Sequence, residues 1–293
     1  MAALSGPVDP GRLETGLSAL RRLGFEPVVA DNVLMRQGLF AGSDADRLAA
    51  FHRLAADPDL PAILFARGGH GVLRLLPHFD WDLLARRPRV YMGYSDLTPF
   101  LLEVVRRLGL VAFHGPMVAA DLARGMSPED EASFLAALAG RWPVALPFAA
   151  MLRGGEARGP LLGGCLSLLT ATLGTPWAPD LEGAVVFWED INEPPYRIDR
   201  MLTHLGLSGN LGNIAGMIVG HLGDVREPGR DPVSWPSQAA AQVAAQVADS
   251  LAGYPWPLAW GLETGHVPPN RTLPLGMTAR LDAAAGRLVL GEG

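Results

Sequence analysis

The chain has 293 residues, 24 basic against 30 acidic side chains, a net charge of -6 and one cysteine, and it contains no lysine, so every Lys+Arg position is arginine. That composition excludes a Schiff-base enzyme, a Ser–Lys dyad and a Walker A loop, each of which needs a lysine amine. It also excludes intrachain disulfides and multi-cysteine metal sites, and the dispersed acidic charge leaves no basic footprint for nucleic acid.

Hydrophobic periodicity sets the expected elements in chain order. Residues 10–23 read as a helix with Leu13, Leu17, Leu20 and Leu23 on one face. Glu26–Val29 follows as a short strand. Ser43 with Asp46 three positions on forms a capping box that opens a helix through Leu48, Phe51 and Leu54. Ala62–Ala66 is a strand running into Arg67-Gly-Gly-His-Gly71. Val90–Tyr94 is a second strand, followed without a gap by a helix over 97–108; Val111–Phe113 is a third strand, and 127–139 a further helix. Strands and helices alternating at this spacing make βα units and a largely parallel sheet.

From Arg141 to Ala157 the pattern dissolves into proline- and glycine-bearing sequence. This places an N-terminal α/β domain over 1–141, a linker over 142–157 and a C-terminal domain over 158–293. In the second half strands are expected at 184–188, 214–220 and 257–261, and helices near 165–173, 195–205 and 237–252. The chain ends in a hairpin turning around 284–286. No apolar run approaches the roughly 20 residues of a membrane span. The opening Met1-Ala-Ala-Leu-Ser-Gly lacks the basic-then-apolar order of a signal peptide, so the expected compartment is the cytoplasm.

Four stretches carry chemistry. In Tyr91-Met-Gly-Tyr-Ser-Asp-Leu-Thr a strand passes through Gly93 and Ser95 directly into a helix. A serine at such a turn is an exposed nucleophile whose alkoxide the helix N-terminus stabilises, or else Ser95 or Asp96 is simply an N-cap. Arg67-Gly-Gly-His-Gly fails the dinucleotide pattern, because Arg74 occupies the last glycine slot. It reads as a backbone cradle for a peptide or oxyanion, or as a tight loop. Trp188-Glu-Asp-Ile-Asn-Glu193 ends a strand in three carboxylates, which can orient an imidazole, hold a cation, or begin a helix. His266, in Gly265-His-Val-Pro-Pro-Asn270, follows a strand as Ser95 and Glu189 do. Sites in open α/β sheets gather at strand carboxyl ends, and Ser, Glu and His in that order are chemically complete for nucleophilic catalysis.

Six ordered strings, ARGGHG, GYSDLT, HGPM, GPLLGGCLSLLTATLGTP, WEDINEPPYRIDRML and GHVPPNRTLPLG, make the chain similar to the LD-carboxypeptidase family of muramoyl-tetrapeptide carboxypeptidases and microcin-C self-immunity peptidases. The resemblance runs from about Ser5 to the C-terminus. It implies an α/β fold, with a parallel-sheet N-terminal domain and a C-terminal domain built on a small barrel-like mixed sheet with helices. It implies a cytoplasmic homodimer that needs no metal or cofactor and binds a small peptide, neither nucleic acid nor membrane. Carried over by motif, Ser95 is the nucleophile, His266 the base and Glu189 the carboxylate. The N–H groups of Gly69 and Asp96 form the oxyanion hole, and Gly68, His70 and His114 contact substrate.

The chain departs from the family in three places. The first strand is clipped to Met1–Ser5, His70 stands where many relatives carry tyrosine, and Cys165 where many carry asparagine. The thiol reads as a small buried side chain at a helix start or, alternatively, as a nucleophile. The favoured activity is release of the terminal D-alanine from a muropeptide tetrapeptide. The alternatives are a microcin-C-like peptidase acting on aminoacyl-nucleotide conjugates and a non-catalytic muropeptide binder.

Overall fold

The computed structural model describes residues 1–223 and 238–292. These form two units: Met1–Leu138 with Arg271–Pro274, and Ala139–Asn270 with Leu275–Gly293. Among the described residues no helix is long and apolar enough to cross a membrane.

In the first unit Met1–Ser5 runs buried alongside Leu64–Ala66, with Ala2 N–H donating to Leu64 O at 3.0 Å and Ala66 N–H to Ala2 O at 2.8 Å. Helix α1 (Pro10–Arg22) starts where Asp9 accepts from Arg12 N–H and proline fixes the first turn, and its buried face carries Leu13, Leu17 and Leu20. Helix α2 (Asp44–Ala56) has the expected capping box: Ser43 accepts from Asp46 N–H while the Asp46 carboxylate accepts from Ser43 N–H. Strand β1 (Ala62–Leu64), helix α3 (Trp81–Arg86), strand β2 (Val90–Gly93), helix α4 (Thr98–Leu108), strand β3 (Ala112–His114) and helix α5 (Pro128–Leu138) follow. The parallel pairs β1–β2 and β2–β3 make the expected sheet. Phe51, Phe65, Tyr91 and Phe100 are fully buried against it, with ring centroids 5.4 to 6.4 Å apart along the chain of contacts.

Glu26–Val29, expected as a strand, joins no sheet. Among the described residues Val28 O accepts only from the Met1 amine, and Pro27 has no N–H to continue a ladder.

The second unit contains strands β4 (Val144–Pro147), β5 (Ala150–Arg153) and β6 (Glu156–Cys165), helix α6 (Leu166–Ala171), strand β7 (Val185–Ile191) and helix α7 (Pro195–Leu207). Strand β8 (Gly216–Gly223), helix α8 (Gln238–Ser250) and strand β9 (Leu258–Trp260) follow. The chain next contributes β10 (Leu273–Leu275) to the first sheet beside β3, then closes on β11 (Thr278–Asp282) and β12 (Arg287–Leu290). The antiparallel β11–β12 pair is the expected terminal hairpin. The expected helix over 237–252 is α8; residue 237 lies outside the described residues.

Residues 142–157 are therefore not a linker. They carry β4, β5 and the start of β6, in short strands whose Pro143, Pro147 and Gly154–Gly155 mask any alternating pattern. Their placement curls the sheet. The strand order is β4-β12-β11-β6-β7-β8-β9-β5, so β4 and β5 occupy opposite edges although only Phe148 and Ala149 separate them. Two residues span at most about 7 Å, which brings the edges together. Phe148 N–H donates to Gly286 O and Ala149 N–H to Trp260 O across the join. The core of this mixed, barrel-like sheet is the parallel run β6–β7–β8–β9, whose β7 and β8 residues are almost all buried.

Candidate active site

In the first unit, β2 ends at Gly93, Tyr94 stays extended, and Ser95 takes φ = 63° before a tight turn leads into α4. A left-handed conformation costs a side-chain-bearing residue roughly 1–2 kcal/mol, and the surroundings hold it there. Asp96 is buried and its carboxylate accepts from Ser5 Oγ at 2.6 Å and Val72 N–H at 3.0 Å, tying the turn to two neighbouring segments. The Asp96 side chain thus has a structural job, separate from the backbone N–H that the family resemblance singles out.

The glycine loop packs directly on the serine. A Cβ built on Gly68 would lie 2.9 Å from Ser95 Cβ and 3.0 Å from Oγ, so only glycine fits beside the hydroxyl. Gly68 O accepts from Gly6 N–H at 3.2 Å, and Gly69 lies exposed at φ = 125°. His70 is exposed and stacks on Phe40 at 5.8 Å, with the Arg47 and Arg74 guanidinium groups over the same ring. His114, at the end of β3, is fully buried with its ring 5.5 Å from that of Tyr94.

In the second unit, Glu189 sits near the end of β7 with no exposed surface. The ladder to β8 is irregular there: Trp188 pairs with Val219 but Asp190 with Leu222. The extra residue on β8 makes a bulge beside the glutamate. His266 reaches it from the loop after β9. Its Nδ1 lies 2.6 Å from Glu189 Oε2, and the same oxygen accepts the His266 backbone N–H at 3.2 Å. The imidazole is 13% exposed, so one edge remains accessible. A Cβ on Gly265 would fall 2.8 Å from Glu189 Oε2, so the approach requires glycine at that position.

Sequence reasoning missed Asn270, the last residue of the GHVPPN string. Its buried Oδ1 accepts from Gly265 N–H at 3.1 Å and Thr264 Oγ1 at 3.2 Å, closing the loop that presents His266. Asparagine side chains commonly bond backbone about two residues away, and no local signal marks one that accepts from an N–H five residues earlier.

The three carboxylates of the WEDINE string do three different things. Glu189 holds the imidazole. Asp190 is buried and accepts from Ser167 N–H and its neighbour Ile191 N–H, joining β7 to the start of α6. Burial, then the adjacent Glu189 charge, pushes its pKa up to about 6. Glu193 pairs with Arg197 at 3.2 Å in the first turns of α7, the helix-start role. Burial also raises the Cys165 thiol, and the Asp190 and Glu189 charges add to it. A thiol so disposed stays protonated at neutral pH, which argues for its structural reading over a nucleophilic one. Among the described residues no group of three His, Cys, Asp or Glu side chains gathers as a metal ligand set.

Comparison with known proteins bears on this arrangement. The LD-carboxypeptidase N-terminal domain family matches residues 1–115 and the LD-carboxypeptidase C-terminal domain family residues 158–281. A protein of Streptomyces coelicolor is 38% identical over 99% of this chain and 92% of its own length. The murein tetrapeptide carboxypeptidase of Pseudomonas aeruginosa is 31% identical over 92% of this chain and 88% of its own. The crystal structure of muramoyltetrapeptide carboxypeptidase from Oxalobacter formigenes superposes with a TM-score of 0.87 at 30% identity, covering 99% of this chain and 97% of that one. With both domain families matched in order and relatives alike along almost their whole length, the chain belongs to the LD-carboxypeptidase family.

Proposed function

We propose that the protein is a serine LD-carboxypeptidase that releases the terminal D-alanine from the tetrapeptide of recycled peptidoglycan, working in the cytoplasm as a homodimer without a cofactor. The observation that carries this reading is the His266–Glu189 pair. A buried carboxylate accepting the Nδ1 proton selects the tautomer whose Nε2 lone pair is available as a base, and it stabilises the imidazolium that forms. A serine held at a strand-to-helix turn against a glycine loop is the matching nucleophile.

In the proposed reaction His266 Nε2 takes the Ser95 proton as Oγ attacks the scissile carbonyl. The tetrahedral oxygen accepts from the N–H groups of Gly69 and Asp96, while Gly68 and His70 contact the peptide and the fully buried His114 packs behind the serine turn against Tyr94. Collapse breaks the C–N bond, His266 protonates the departing amine, and water activated by His266 hydrolyses the acyl-serine.

The test uses the purified enzyme with a muropeptide tetrapeptide, an aminoacyl-sulfamoyl adenylate and a serine-directed phosphonate. The expected result is turnover of the tetrapeptide, a phosphonate adduct at Ser95, and loss of about 10⁴-fold or more in kcat for Ser95→Ala with the fold intact. A clear preference for the adenylate would replace the substrate by a nucleotide conjugate. Absence of any adduct at Ser95 would instead favour a non-catalytic binder.

A further inference from the structure

Removing a terminal residue sets a geometric demand on the enzyme. Only a nitrogen and one Cα separate the scissile carbonyl carbon from the carbon of the free carboxylate, so the two lie within about 4 Å of each other. Whatever reads the carboxylate must therefore sit close to the nucleophile. The chain has no lysine, so the cations available for it are arginine and histidine, beside neutral side-chain and backbone donors, and of these only an arginine fork offers a permanent charge with bidentate geometry.

Most arginines near the serine turn are already committed. Arg47 and Arg74 both pair with Asp44, and Arg124 pairs with Asp121. Arg67 differs. It immediately precedes Gly68, its side chain is exposed, and it forms an ion pair with none of the described residues. Among the described residues its side chain makes one hydrogen bond, from Nη1 to Pro7 O at 3.1 Å, and its other four N–H donors face no described partner. The guanidinium is also held in place. Its Cζ and Nε each lie 3.7 Å from the position a Cβ would take on Gly6, whose own N–H binds Gly68 O. Gly6, Arg67, Gly68 and Ser95 thus form one contiguous cluster, in which an unneutralised planar cation is fixed one residue from the backbone that packs on the nucleophile.

We infer that Arg67 is the specificity residue that binds the substrate's terminal carboxylate, and so makes the enzyme a carboxypeptidase rather than a general amidase. The inference rests on the serine carboxypeptidase reading above. A bidentate pair formed as substrate displaces water at this cluster matches the planar carboxylate, which a neutral terminal amide cannot do.

The experiment measures kcat/KM of the full-length enzyme on two peptides with the same L–D amide bond, one ending in a free carboxylate and one in a carboxamide. The wild-type enzyme is expected to prefer the free acid by about 10²-fold. Arg67→Gln should bring the acid-to-amide ratio to within about threefold of one, chiefly through KM for the acid, and Arg67→Lys, which keeps the charge but not the fork, should fall between. An unchanged ratio in Arg67→Gln, with the wild-type enzyme active on the acid, would overturn this inference and leave the carboxypeptidase reading standing. Failure of the wild-type enzyme to cleave either peptide would overturn both.

Discussion

At the scale of single residues, Asp190 makes the clearest demand on the fold. It sits in the chain beside Glu189, is 3% exposed, and spends both carboxylate oxygens on backbone N–H groups. Its pKa of about 6 lies above the ordinary value of 3.8. The folded chain therefore binds this proton more tightly than the unfolded one. The resulting stabilisation is fully present below about pH 4 and is lost as pH rises through 6, by roughly 3 kcal/mol at most. Denaturant unfolding of wild type and Asp190→Asn between pH 4 and pH 7 should show the wild-type stability falling relative to the variant across that window. Parallel pH profiles for the two proteins would refute the assignment. The same neighbourhood shows what local sequence conveys about a site. Glu189 and His266 were legible because both follow strands and the two residue types complement each other chemically. The work of Asp190 and Asn270 was not, because each acts through a hydrogen bond to an N–H that is distant in sequence or unmarked by residue type.

At the scale of elements, β6 and β7 hold the second unit together, and their contact tolerates no side chain at one point. A Cβ on Gly163, at φ = 137°, would lie 1.7 Å from Phe187 O, inside the parallel ladder. Gly163→Ala is expected to cost at least about 3 kcal/mol and to lower the melting temperature steeply. Gly154→Ala, which meets nothing within 4 Å, should stay within about 0.5 kcal/mol. Equal melting temperatures for the two variants would contradict this account. The α-helices were the legible elements. The Ser43–Asp46 capping box and the leucine face of α1 are local patterns, and the structure contains both. Strands β4 and β5 escaped notice because their stability comes from pairing with β12 and β9, more than 100 residues away, and not from their own composition.

At the scale of the whole chain, the first unit is not continuous in sequence. Arg271–Pro274 returns to it, placing β10 beside β3. There Arg271 meets Asp130 at 3.5 Å, Thr272 N–H donates to Ser133 Oγ at 2.9 Å, and the Thr272 side chain packs where only Gly115 leaves room. A fragment of residues 1–138 would leave the β3 edge uncovered and lose these contacts. It is expected to unfold without a cooperative urea transition and to bind a hydrophobic dye. A sharp, native-like transition in that fragment would show that β10 is dispensable.

Sequence alone determined which mechanisms this chain could not use and which family it belongs to. The absence of lysine and the single cysteine removed whole mechanisms, and six ordered motifs singled out the family that the domain matches show. These are properties of residue identity and short spacing, which the chain carries before it folds. Tertiary structure decided the rest: that residues 142–157 close a curled sheet, that Glu26–Val29 stays outside any sheet, that Asp96 anchors the serine turn with its side chain, and that Arg67, next to the glycine packed on the serine, forms no ion pair among the described residues. Each depends on which distant backbone groups and charges come together, and that pairing is settled by burial and sheet geometry, not by neighbours in sequence.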